Sequence, residues 1–178
     1  MSQNVASIVT PGFFDGIKNQ AAASCAGKSF YTRDGFLKAA SSFPKFGSGS
    51  AVESKREIAF FAHTYATLKK LTIQMPTVTI NKQYPCVAGK KYYGRGPMQL
   101  TWNSNSELAE KLCLLQAALW FWMNNVHSVM NQGFGATQKI NGALECGGKQ
   151  PDKVNARIGY YRDYCKKFVC DPGQNLSC

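Results

Sequence analysis

Ser54-Lys55-Arg56-Glu57-Ile58-Ala59-Phe60-Phe61-Ala62-His63 is the stretch from which the rest of the chain is read. It opens on the S-x-x-E spacing of a capping box, in which the serine hydroxyl and the glutamate carboxylate satisfy each other's unpaired backbone donors. An apolar run without glycine or proline follows. The pattern predicts a helix to about His63, with Glu57 as part of its cap. So read, Glu57 is a structural carboxylate.

The flanking sequence repeats this helical grammar. Thr10 precedes Pro11, a residue suited to the first helical position, and Phe13, Phe14 and Ile17 fall on one face. Small residues over 21–27 end that helix. Thr32 reads as the N-cap of the next one, with Asp34 in its first turn, Phe36 and Leu37 pointing inward, and Pro44 beyond its end. Downstream, Leu71, Ile73, Val78 and Ile80 favour extended structure over 64–83, and Pro76 limits any strand to an edge. Residues 89–97 read as a glycine-rich aromatic loop; Gly94 and Gly96 lack the third glycine and the following helix of a dinucleotide fingerprint.

Ser106 is a candidate N-cap for a long helix reaching about His127, with Leu108, Leu112, Leu115, Leu119 and Trp122 at core spacing. Trp120-Phe121-Trp122 reads as core rather than as a sugar platform. A last helix opens at Pro151 and Asp152 and buries Val154, Ile158, Tyr161 and Phe168. No repeat, low-complexity tract or linker divides the chain. The expectation is one mainly helical domain over 1–178 with little sheet.

Composition bounds the function. The 178 residues suffice for a real core, and the 44% hydrophobic content and mean hydropathy of -0.26 fit a globular chain. Aromatics at 12% argue against disorder. The net charge of +11 invites an acidic partner, but the basic residues are scattered, so neither nucleic acid nor a membrane is expected as partner. The longest apolar stretch, 112–123, is too short to cross a bilayer. Residues 1–11 lack a basic-then-apolar leader, which fits either a mature piece or a chain retained in the cytosol. Seven cysteines suggest an oxidising compartment and leave at least one thiol unpaired. With no C-x-x-C pair and only His63 and His127 as histidines, no metal site and no cofactor are expected.

Several stretches together resemble the family 19 glycoside hydrolases, the plant class IV chitinases most of all. They are Phe14-Asp15-Gly16-Ile17-Lys18-Asn19-Gln20, Phe30-Tyr31-Thr32-Arg33-Asp34, and the segment quoted at the outset from Lys55 on. The most specific is Tyr92-Tyr93-Gly94-Arg95-Gly96-Pro97-Met98-Gln99-Leu100-Thr101-Trp102-Asn103. Ala118-Leu119-Trp120-Phe121-Trp122-Met123, Ile140-Asn141-Gly142-Ala143-Leu144-Glu145-Cys146, Arg157-Ile158-Gly159-Tyr160-Tyr161 and Asn175-Leu176-Ser177-Cys178 follow in the same order. The resemblance implies a lysozyme-like, mainly α fold with two lobes around a sugar-binding cleft. It also implies chitin or N-acetylglucosamine oligomers as partner, a monomer, an extracellular location and a Cys146–Cys178 bridge.

Inverting hydrolysis of such polymers needs two carboxyl groups across the scissile bond, one protonated as acid and one ionised as base. By the resemblance both are glutamates that follow the third helix. Here Thr67 stands at the acid's position, and no Asp or Glu occurs between Glu57 and Glu107. The stretch 64–80 departs from the family and the resemblance resumes at Asn81, as a shifted reading frame or an altered splice would produce. The loop after Asn105 is shortened, and Gln116 stands where the family has a lysine.

The resemblance leaves Tyr92, Gln99, Thr101, Asn105, Asn141 and Arg157 as candidate sugar-binding or supporting residues. Glu107 and Glu110 are remote candidates for catalysis, whose simpler role is the first turns of a helix. Cys25 and Cys86 lack the partners that the replaced segment would carry, and Cys113 and Cys170 are additional. Three readings compete: a chitinase-like binder with weak or absent turnover, an active endochitinase, and a basic polyanion-binding protein. A cysteine hydrolase built on Cys113 or Cys165 has no local signature.

Overall fold

The computed structural model describes residues 5–20, 23, 31–67, 114–130 and 135–178. Among these residues every regular element is a helix. In chain order they are α1 (Val5–Ile8), α2 (Pro11–Lys18), α3 (Arg33–Ser41), α4 (Ala51–Thr67), α5 (Leu114–Asn125), α6 (His127–Met130), α7 (Gly135–Glu145) and α8 (Pro151–Lys167).

Local chemistry sets the starts. Thr10 Oγ1 accepts from Phe13 N at 3.2 Å, and Pro11 opens α2, where a missing N–H breaks no helical bond. Thr32 Oγ1 accepts from Gly35 N at 3.1 Å and begins α3. Arg33 then ties α3 to the preceding turn, donating to Val9 O at 2.6 Å and Ala6 O at 2.9 Å.

The start of α4 corrects the sequence reading. Its capping box is Ser50 and Glu53: Glu53 N donates to Ser50 Oγ at 3.2 Å, and Ser50 N donates to Glu53 Oε2 at 2.8 Å. The S-x-x-E spacing occurs twice, four residues apart, and the upstream copy caps. Ser54 lies inside the first turn and donates to Ser50 O at 2.9 Å. Glu57 faces the interior. The helix also runs past His63 to Thr67, so the first residues of the predicted extended stretch are helical. No glycine or proline interrupts it there. The remainder of that stretch, the aromatic loop and the Ser106 cap lie outside the described residues.

The core is aromatic. Phe36, Phe46 and Phe61 form a ring cluster, with centroids 6.2 Å (Phe36 to Phe46), 5.8 Å (Phe36 to Phe61) and 5.3 Å (Phe46 to Phe61) apart. Trp122 of α5 joins edge-on to Phe61 at 5.4 Å. α8 packs lengthwise on α4, and Phe13 of α2 closes the far side against Tyr164 and Phe168. Full burial of a side chain as large as phenylalanine contributes about 1.5–3 kcal/mol. Phe13, Phe14, Leu37 and Ile158, expected inside, sit half-buried at the edge of this core. Trp120 departs from the core expectation with 37% of its surface exposed, because it points away from the face that carries Leu115, Leu119 and Trp122. α5 ends at Asn125, short of the predicted His127, which instead opens α6. No described helix is long and apolar enough to cross a membrane.

Candidate functional site

Two buried carboxylates organise the polar interior. The first is Glu57, 1% exposed. Its Oε2 accepts from Gly47 N at 2.7 Å, and its Oε1 accepts from Trp122 Nε1 at 2.7 Å and lies 2.6 Å from His127 Nδ1. It thereby joins the turn before α4 to α5 and α6. Gly47 is required at that turn: its φ is +65°, and a Cβ there would meet Val5 Cγ2 at 2.8 Å. Glu57 is thus a structural carboxylate, as expected, but as a tertiary junction and not as a cap.

The second is Glu145, at the end of α7. This helix is kinked at Asn141 (φ -153°, ψ 26°), one turn before Glu145, so the two share a face. Asn141 Nδ2 donates to Glu145 Oε1 at 2.7 Å. From α8, Arg157 grips the same carboxylate with both prongs, Nε to Oε2 at 2.6 Å and Nη2 to Oε1 at 2.7 Å. Glu145 is 2% exposed and Arg157 8%. Burial pushes the Glu145 carboxyl up, but the hydrogen bonds from Arg157 and Asn141, with the Arg157 charge, outweigh it and hold the group below its ordinary value. The next residue, Cys146, is bonded to Cys178, with Cα atoms 5.1 Å apart, so the chain's tail is fastened beside this cluster.

His63, on α4, is fully buried, its ring 6.4 Å from that of Tyr161 on α8. The Tyr161 hydroxyl donates to Pro172 O at 3.1 Å, and burial above all pushes its pKa up.

Of the residues singled out from sequence, the structure brings Asn141 and Arg157 together on one carboxylate. Thr67 is the last residue of α4. Tyr92, Gln99, Thr101, Asn105, Glu107 and Glu110 lie outside the described residues. Sequence reasoning quoted Glu145 without giving it a role. The available signal was its spacing of four from Asn141, together with the need of a buried arginine for an anion. A shallow open depression of about 490 Å³, lined by Thr10, Phe13, Lys55 and Lys167 among others, does not include this cluster. Among the described residues no group of His, Cys, Asp and Glu is gathered as a metal site would require.

Comparison with known proteins agrees with this architecture. The family profile described as Chitinase class I, of glycoside hydrolase family 19, matches residues 8–73, 61–113 and 108–178. The matched stretches overlap at 61–73 and at 108–113. Endochitinase A of Zea mays is 49% identical over 202 residues, covering 98% of this chain and 72% of that protein. Chitinase 4 of Oryza sativa subsp. japonica is 51% identical over 203 residues, covering 98% and 71%. Among solved structures, the family GH19, class IV chitinase from Zea mays superposes with a TM-score of 0.88 at 41% identity, covering 99% of this chain and all 100% of that one. Chitinase C from Streptomyces griseus HUT6037 gives a TM-score of 0.76 at 30% identity, covering 96% and 80%. The mainly helical, lysozyme-like fold is that of these enzymes, and the chain belongs to glycoside hydrolase family 19, the chitinases.

Proposed function

We propose that this chain is a single chitinase-type domain that engages β-1,4-linked N-acetylglucosamine polymers and has little or no hydrolytic turnover. Affinity for chitin rests on the family and on the candidate sugar-binding or supporting residues that the sequence retains, Tyr92, Gln99, Thr101, Asn105, Asn141 and Arg157. Loss of turnover rests on an account of the carboxylates. The chain has ten acidic residues. Asp15, Asp34, Asp152, Asp163 and Asp171 are exposed. Glu53 caps α4. Glu57 and Glu145 are buried, and both oxygens of each are engaged in hydrogen bonds.

A general acid must hold its proton near neutral pH, which needs a raised pKa. Glu145 is shifted the opposite way, and its oxygens are already taken. It supports a site; it does not donate. Only Glu107 and Glu110 are left, and a carboxylate misplaced by an ångström already loses orders of magnitude in rate. The single observation that carries the proposal is the absence of any Asp or Glu between Glu57 and Glu107. The Cys146–Cys178 bond supports an oxidising, extracellular setting.

The test is incubation of the folded protein with N-acetylglucosamine hexamer, product analysis, and calorimetric titration of the same oligomer. We expect binding without shorter products, with a helical circular-dichroism spectrum as the control for folding. Shorter oligomers above a buffer blank would overturn the proposal and direct attention to Glu107 and Glu110. Salt-sensitive binding to polyanions without affinity for the hexamer would favour the charge-driven reading instead.

A further inference from the structure

The C-terminus of α8 carries a pair of thiols that the chitinase reading leaves unused. Cys170 N donates to Cys165 O at 3.0 Å, Val169 N donates to Lys166 O at 3.1 Å, and Val169 has φ +52°. These two bonds around a left-handed residue define a Schellman cap, whose geometry turns the side chains of its first and sixth residues toward each other. In most proteins an apolar contact fills that position. Here both residues are cysteines, both thiols are free, and each bears on the other's ionisation.

The two sulfurs differ in access and in charge. Cys165 is fully buried, while Cys170 is half-buried at the surface. The neighbouring Cys165 is the largest influence on Cys170, and with the cationic Lys55 and Arg56 it lowers the Cys170 pKa against burial and the nearby Asp171. The same proximity, with burial, pushes Cys165 up. Tyr161, the other titratable group against Cys165, is neutral through the physiological range. The arrangement has an accessible thiol placed to attack and a shielded resolving thiol behind it.

We propose that Cys165 and Cys170 form a reversible disulfide across the cap of α8, made by exchange with a low-molecular-weight disulfide of the glutathione type. Cys170 Sγ attacks one sulfur of the reagent: the mixed disulfide forms, the reagent's S–S bond breaks, and one thiolate leaves. Cys165 Sγ gives up its proton and attacks Cys170 Sγ; the intrachain bond forms and the second thiolate leaves. The two protein thiols lose two electrons, and the reagent takes these and both protons to become two thiols.

The experiment equilibrates the folded protein in glutathione buffers of graded ratio, quenches with acid, alkylates free thiols and digests with trypsin. Cleavage after Arg162, Lys166 and Lys167 separates Cys165, in peptide 163–166, from Cys170, in peptide 168–178. The expected result is that oxidising buffers join these two peptides and reducing buffers release them. Cys170 is alkylated before Cys165, and Cys170→Ser leaves 163–166 free at every ratio. Free, alkylated 163–166 in the wild-type protein throughout would overturn the proposal. So would its attachment to a peptide carrying Cys25, Cys86 or Cys113, or an oxidation that stops at the Cys170–glutathione adduct.

Discussion

Replacing Arg157 by methionine keeps most of its length and removes its charge, leaving Glu145 buried with the Asn141 amide still donating to it. Breaking a buried ion pair from one side costs about 3–5 kcal/mol, because the surviving charge stays desolvated. Both residues are under a tenth exposed and the pair is bidentate, so solvent gives little relief and the full range applies. For a domain of this size that corresponds to a fall in Tm of roughly 6–20 °C. The double variant Arg157→Met/Glu145→Leu removes both charges, and an apolar pair of similar volume is often neutral or stabilising.

Thermal and urea melts of the four proteins give the coupling energy directly. A pH series adds a signature that packing loss would not have. In the wild type the depressed Glu145 pKa contributes stability that is complete above the ordinary carboxylate value and is lost as pH falls through the lowered folded value. In Arg157→Met, burial dominates and raises that pKa, so its deficit against wild type shrinks as the pH is lowered. A single-variant cost under about 1 kcal/mol, or strict additivity in the double variant, would refute this account of the cluster.

Three further outcomes follow from the same structure. Val169→Gly should stabilise the protein by about 0.5–1 kcal/mol in a urea melt, since a left-handed Val costs about 1–2 kcal/mol and the glycine's extra chain entropy returns part of it. Glu57→Leu should lose about 1–3 kcal/mol for each donor left without an acceptor, Gly47 N and Trp122 Nε1, read by the same melt; a neutral outcome would mean that Glu57 joins nothing. Sequencing the transcript beside its gene should show a shifted frame or an altered splice over the codons for residues 64–80, the stretch read as departing from the family. A coding stretch with no acidic codon in either alternative frame would exclude a shifted frame.

The parts of the fold legible in sequence were those set by neighbours along the chain. Thr10, Thr32 and Pro151 mark helix starts through contacts within a turn, and each start is where the sequence placed it. Glu57 shows the limit. The spacings Ser50 to Glu53 and Ser54 to Glu57 are the same local signal, and what separates them is that Glu57 faces Trp122 and His127 from α5 and α6. That is a tertiary fact. α6 and α7 carried no strong start signal and passed unnoticed. Asn141 and Arg157 were reached through family resemblance, while the anion between them was overlooked because Arg157 lies twelve residues beyond it on another helix.

The bond between Cys146 and Cys178 also governs how the molecule bears load. The two residues are 32 apart in sequence, so a pull on Cys178 passes through sulfur into the end of α7 and bypasses α8. In a single-molecule stretching experiment the intervening chain stays hidden at any force that leaves the bond intact. Reduction would release about 110 Å of added contour length, at roughly 3.3–3.6 Å per residue. Held this way, α8 and the helix it packs against, α4, can be loosened by a tug on the tail only after the thiols have been set free.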